Sequence, residues 1–153
     1  MVITAILLAD CLPIVVYDPE RHAGVISYAG WRGTDAGIAE KSVQHLLDAG
    51  SRVQNLVAAT GPGIGPCCYP VGADTARMFS ENYDYPEGVV LRKNKVFMLN
   101  LEEANLARLR SCGLKEERIG NAGFCTACRK DDFFSYRKEG GRTGRHAALM
   151  VLL

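Results

Sequence analysis

The stretch "LPIVVYDPERHAGVISYAG", residues 12–30, carries two runs of β-branched and aromatic residues separated by a charged, proline-containing turn. Such runs favour extended backbone, and Pro19 presets φ for a turn position. The segment therefore reads as an antiparallel hairpin, with strands over 12–18 and 24–30. Centring its turn between Pro19 and Glu20 pairs residues whose numbers sum to 39, which sets Cys11 opposite Tyr28. Opposed side chains lie about 4.5–5.5 Å apart at Cβ, close enough to share one ion.

On the N-terminal side, "VITAILL" (2–8) reads as another strand. On the C-terminal side, "GTDAGIAEKSVQHLLDAG" reads as one helix, capped by Thr34 or Asp35 and ended by Gly50. Ala39, Val43, Leu46 and Leu47 form its inward stripe, leaving His45 on the solvent side. "VQNLVAAT" (53–60) reads as a buried strand, "GPGIGPCCYPVG" (61–72) as a loop, and "ADTARMFSENY" as a helix. A hairpin over 88–99 turns at Lys93-Asn94. Asn100 then caps a helix through a capping-box spacing to Glu103, with Leu106 and Leu109 inward and Gly113 at its end. "RIGNAGFCTAC" holds a strand, "FFSYRKEGGRTGR" is a basic loop, and "HAALMVLL" (146–153) is a final buried strand. Strands and helices mix without βαβ alternation. The fold class is α+β, a mixed and mainly antiparallel sheet with packed helices in a single domain over 1–153.

Charge and composition narrow the function. A net charge of +1 over 153 residues leaves no electrostatic footprint for nucleic acid or an anionic membrane. No apolar run reaches spanning length and no basic leader precedes "VITAILL", so a cytoplasmic protein with reduced thiols is expected. The only imidazoles, His22, His45 and His146, are too few for a multicopper centre, so copper is not expected.

Six cysteines are present: Cys11, Cys67, Cys68, Cys112, Cys125 and Cys128. Cys112 reads as a small core residue near a helix end. "CTAC" (125–128) has redox spacing without the strand-to-helix context of a thioredoxin unit. A zinc knuckle needs a second spaced pair, and Cys67-Cys68 lacks that spacing, so these cysteines are expected to be buried or incidental rather than a functional thiol pair. Arg32, Arg137 and Arg145 sit in loops beside glycines or aromatics, where a planar guanidinium suits phosphate or carboxylate. Trp31 either stacks on a base or fills the core.

Five blocks occur in order: "LADCLPIVVYDP", "YAGWRGTDAGI", "GPGIGPCCYPVG", "LNLEEANLARLRSCG" and "CTACRKDDFFSYRKEGGRTGRHAALMVLL". Together they resemble the YfiH or laccase-domain family, whose members are also called purine nucleoside phosphorylases or peptidoglycan editing factors. The resemblance implies zinc-dependent phosphorolysis of adenosine, inosine and methylthioadenosine, with an adenosine deaminase side activity. It implies purine nucleoside and phosphate as small-molecule partners. The family's zinc takes a histidine from an N-terminal "QVHG" motif, the cysteine of "ADCLP" and the histidine of "HAGWRG". Here the second is Cys11, and Tyr28 stands at the third. The first motif is not in the sequence, so an N-terminally short member is expected. Asn100, Gly63 and Pro70 are milder departures from the family pattern.

The resemblance assigns Cys11 and Arg32 as catalytic residues and Trp31, Arg137 and Arg145 as substrate contacts, with Phe133 as another pocket candidate. A neutral phenol is a poor zinc ligand, so weak zinc affinity is expected at this pair. Two further readings remain: a metal-impaired binding domain, and a hydrolase on a peptidoglycan precursor with Cys11 as nucleophile. A homodimer is expected if an apolar sheet face is left uncovered.

Overall fold

A computed structural model describes all 153 residues. The hairpin is present: β2 (Leu12–Asp18) pairs antiparallel with β3 (Ala23–Ala29). Its register differs from the expected one. Leu12 pairs with Ala29 and Pro13 with Tyr28, so the numbers sum to 41. The Asp18 carboxylate accepts the backbone N–H groups of Glu20 at 2.9 Å and Arg21 at 3.3 Å. That side chain builds a turn over 19–22, in which His22 takes a left-handed φ of 50°. Cys11 is therefore not opposite Tyr28. The slip is an even one, so both side chains keep the same face of the sheet.

β2 also pairs antiparallel with β4 (Val57–Thr60), which pairs in parallel with β8 (Ile119–Asn121), giving the sheet order β3-β2-β4-β8. Of the expected strand over 53–60, the first residues instead form a single 3-10 turn. A second sheet contains β5 (Pro70–Val71), β7 (Val96–Leu99) and β6 (Val90–Lys93) in that order. The β6–β7 turn lies at Asn94-Lys95, one residue later than expected, with both residues at positive φ.

The helix expected over 33–50 is two helices. α1 (Trp31–Asp35) ends, Gly37 adopts a left-handed φ of 77°, and α2 (Ile38–Asp48) begins. Neither Thr34 nor Asp35 caps; Thr34 is buried inside α1. Ala39, Val43 and Leu46 are buried and His45 is exposed, as the periodicity requires. α3 spans Ala73–Glu81. α4 (Leu101–Ser111) is capped by the Asn100 side chain, which accepts the Glu103 N–H.

Two cores result. Leu12, Ile14, Val16, Val43, Leu46 and Leu109 belong to the first, and Ile64, Phe79, Leu99 and Leu101 to the second. α4 joins them, giving Leu109 to one and Leu101 and Ala104 to the other. No helix is long and apolar enough to cross a membrane.

The last strand departs from expectation. β9 (His146–Leu152) pairs with β1 (Val2–Leu8) in a separate two-stranded ribbon, and its residues alternate rather than being buried throughout. Ile3, Leu7, Leu149 and Val151 are exposed on one side of the ribbon, leaving an apolar face uncovered. The ribbon meets the main sheet at β3. A Cβ on Gly24 would lie 2.7 Å from Met150 Sδ, so the missing side chain lets the Met150 thioether rest there without shifting.

Candidate functional site

The chain leaves β1 through Asp10 and Cys11 before entering β2. Asp10 takes a φ of 85° and is buried. A left-handed conformation is uncommon for a residue with a side chain, although aspartate tolerates it better than most. The carboxylate explains why it holds here. One oxygen accepts the Thr126 hydroxyl at 2.7 Å, and the other accepts the Arg137 backbone N–H at 2.7 Å. The Asp10 carbonyl also accepts the Ile64 N–H at 2.8 Å. One residue thus joins the loops around 64, 126 and 137 behind Cys11. Sequence reading passed over Asp10.

In front of this turn lies a cavity of about 460 Å³. Cys11, Tyr28, Trp31, Tyr69, Arg137 and Arg145 are among the residues that line it. Five positions singled out in the sequence therefore converge, and Tyr69 joins them. Arg32 is not in the lining; its guanidinium stacks on the Trp31 ring at 4.2 Å. Phe133 is also outside, packed against Phe124 and His146. Arg137 stacks over Tyr69 at 5.1 Å and donates to the Pro70 carbonyl. Arg145 donates to the carbonyls of Thr143 and Gly144.

Cys11 and Tyr28 stand close enough on the cavity wall to interact despite the changed register. Gly30 makes room for them: a Cβ there would sit 3.1 Å from the Cys11 sulfur and 3.4 Å from the tyrosine ring. Burial pushes the Cys11 thiol up, against the lowering effect of Tyr28 and with the Asp10 charge. Burial and the nearby Cys11 push the Tyr28 phenol up to about 12. Both groups are protonated near neutral pH. They are acids facing the cavity, not bases.

His146 lies behind the loop. Both its ring nitrogens are buried without a partner, and the Phe133 ring meets it edge-on at 5.6 Å. Burial lowers its pKa from 6.5, with the Asp10 charge opposing in part. The unfolded imidazole takes up a proton near its ordinary pKa of about 6.5, and the folded one does not. The unfolded state then binds more protons, so this group's contribution is intact above about pH 6.5 and is lost as pH falls below it. Melting temperatures across this window should drop less in His146→Met than in the unsubstituted chain. Equal slopes would remove His146 as the cause.

One group of four cysteines converges elsewhere. The sulfurs of Cys67, Cys68, Cys125 and Cys128 all lie within 4.8 Å of one another and could hold a metal ion. This corrects the expectation that Cys67-Cys68 cannot serve as the second pair for "CTAC" and that these cysteines are buried or incidental: the four sulfurs meet, and Cys67 and Cys128 are exposed. It is the only place where three or more metal-ligating side chains meet. The legible signal was the presence of two cysteine pairs, each in a loop rich in turn residues.

A family model described as "Multi-copper polyphenol oxidoreductase laccase" matches residues 1–153. The chain belongs to the YfiH, or laccase-domain, family. Within the YfiH family it is 38% identical over 153 residues to a purine nucleoside phosphorylase of Deinococcus radiodurans, covering 99% of this chain and 57% of that protein. It is 32% identical to adenosine deaminase RL5 of an unknown prokaryotic organism, over 94% of this chain and 56% of that one. The crystal structure of Bacillus licheniformis YfiH superposes with a TM-score of 0.90 at 33% identity, covering 96% of this chain and 56% of that one. The chain spans little more than half the length of the YfiH relatives it matches. Its mixed, mainly antiparallel α+β fold is theirs.

Proposed function

We propose that the cavity beside Cys11 binds a purine nucleoside and phosphate and supports phosphorolysis of the glycosidic bond. The convergence of Cys11, Trp31, Arg137 and Arg145 on one cavity carries this reading. It is supported by the relatives named purine nucleoside phosphorylases. Trp31 and Tyr69 offer aromatic faces to the purine. Arg137 and Arg145 keep guanidinium donors for phosphate, and Arg32 stacks on Trp31 outside the lining. A phosphate oxygen forms a bond to C1′ as the bond from C1′ to the purine nitrogen breaks. The electron pair leaves with the purine, which needs a proton. Cys11 and Tyr28 are the protonated groups placed to give it. Adenosine, inosine and methylthioadenosine are the proposed substrates, with adenosine deamination as a side activity.

The zinc implied by the resemblance does not fit beside Cys11. Its only neighbour of the family ligand set is replaced by Tyr28, a phenol with a pKa of about 12. Catalytic zinc takes three protein ligands, and no group of three forms there. The proposed step therefore uses only this chain's own side chains.

The test is phosphate-dependent release of hypoxanthine from inosine. Arg137→Ala should raise the KM for phosphate about 10- to 100-fold, the worth of one or two charge-assisted hydrogen bonds. Release that does not depend on phosphate, or no release, overturns the proposal. Tyr28 favours a second reading, a binding domain without turnover, in which inosine binds and is recovered intact. The hydrolase reading lacks a base at Cys11, because Tyr28 holds its proton.

A further inference from the structure

We infer that Cys67, Cys68, Cys125 and Cys128 form a structural zinc site that clamps the two loops behind the cavity. A tetrahedral zinc with Zn–S bonds of about 2.3 Å sets its four sulfurs about 3.8 Å apart. Here Cys128 Sγ lies 3.5 Å from Cys67 Sγ and 3.4 Å from Cys68 Sγ, and no sulfur pair exceeds 4.8 Å. The four thiols are free, with no disulfide among them.

Core packing does not account for this convergence. Cys67 and Cys128 are exposed and the other two are half-buried, so the cluster fills no core. A hydrogen-bond donor is already in place for a bound thiolate. The Gly65 backbone N–H donates to Cys125 Sγ at 3.2 Å. Such a donor orients metal-bound sulfur and spreads its charge. A cation is what lets four neighbouring thiols ionise together. The proposed ligand is a thiophilic divalent cation, with zinc as the member that takes four thiolates in a closed structural site.

The two loops already meet through backbone. Gly63 bridges to Cys125, the Thr126 N–H donates to the Gly63 carbonyl at 3.0 Å, and the Gly63 N–H donates to the Phe124 carbonyl at 3.2 Å. Thr126, next to Cys125, holds the Asp10 carboxylate. The metal would therefore fix the loops that fix Asp10, while touching neither Cys11 nor the cavity.

The experiment is zinc content by elemental analysis of the full chain purified under reducing conditions, with Co(II) substitution and melting with and without chelator. The expected result is one zinc per chain in the original, in Cys11→Ser and in Cys112→Ser. In Cys67→Ser/Cys128→Ser zinc should fall at least tenfold. The Co(II) form should show the sulfur-to-metal charge transfer and strong visible bands of tetrahedral thiolate ligation, and chelator should lower the melting temperature. The Co(II) spectrum needs no variant, so it decides the matter even if the double variant fails to fold. Zinc that is lost in Cys11→Ser but kept in the double variant overturns the inference in favour of the Cys11 position. A metal-free chain with unchanged melting in chelator, or a disulfide mapped between Cys128 and Cys67 or Cys68, also overturns it.

Discussion

Arg108→Ala should lower the unfolding free energy by about 3 kcal/mol, the scale for breaking a buried ion pair by removing one partner. Arg108 is only 5% exposed although it lies on α4. Its guanidinium pairs with Glu40 of α2 and bonds the Tyr85 hydroxyl. It also donates to the Asp35 carbonyl at 3.2 Å and stacks on the Tyr83 ring at 4.3 Å. One side chain thus fastens α4 to α2 and to the segment after α3. Removing it strands Glu40, whose other oxygen is already buried without a partner. Arg108→Lys should recover only part of the loss, because an ammonium cannot serve a planar fork of acceptors. Arg108→Met with Glu40→Met should recover more, since no charge is then left alone. Urea unfolding would show a lower midpoint with an unchanged slope. A loss below about 1 kcal/mol would place the pair with ordinary surface bridges.

Asp10→Ala should reduce kcat/KM for the proposed inosine phosphorolysis about 100-fold, the expected cost of displacing reacting groups by about an ångström. The substitution removes both acceptors that hold Thr126 and the Arg137 backbone. It also puts alanine at a left-handed φ of 85°. Asp10→Asn separates position from charge. Asparagine tolerates left-handed backbone. Its amide can accept from the Arg137 N–H and donate to the Thr126 hydroxyl. If Asp10 acts by positioning, the asparagine variant should return to within about tenfold of the original rate. Melting temperature should follow the same order. An asparagine variant that melts normally but stays as slow as the alanine one would show that the carboxylate charge itself matters.

What was legible in the sequence was local. β1, β2 and α3 follow from residue type, and the Asn100 cap from a spacing of three residues. The hairpin register was not legible, because a side chain sets it: Asp18 gathers the amides of Glu20 and Arg21 and lengthens the turn. The single long helix failed at Gly37, whose left-handed backbone breaks a pattern that is apolar on both sides of it. Cys11, Trp31, Arg137 and Arg145, picked out from motifs and loop chemistry, line one cavity. Asp10 was missed because its partners, Thr126 and Arg137, are far away in the chain. The four-cysteine cluster was missed for the same reason. Its two halves meet where backbone contacts join the loops at Gly63 and Cys125, and spacing within either half does not reveal it.

The ribbon of β1 and β9 sets an order on folding. Its ladder pairs Val2 with Leu152 and Leu8 with His146, so every rung closes a loop of nearly the whole chain. Loop-closure entropy grows only with the logarithm of length, so such pairing is thermodynamically tolerable. It is kinetically late, because distant partners meet only after the chain between them has condensed. The β2–β3 hairpin and the α2 packing need far shorter closures. The main sheet can therefore be complete before the ribbon exists, and Met150 reaches its place over Gly24 as the final seam.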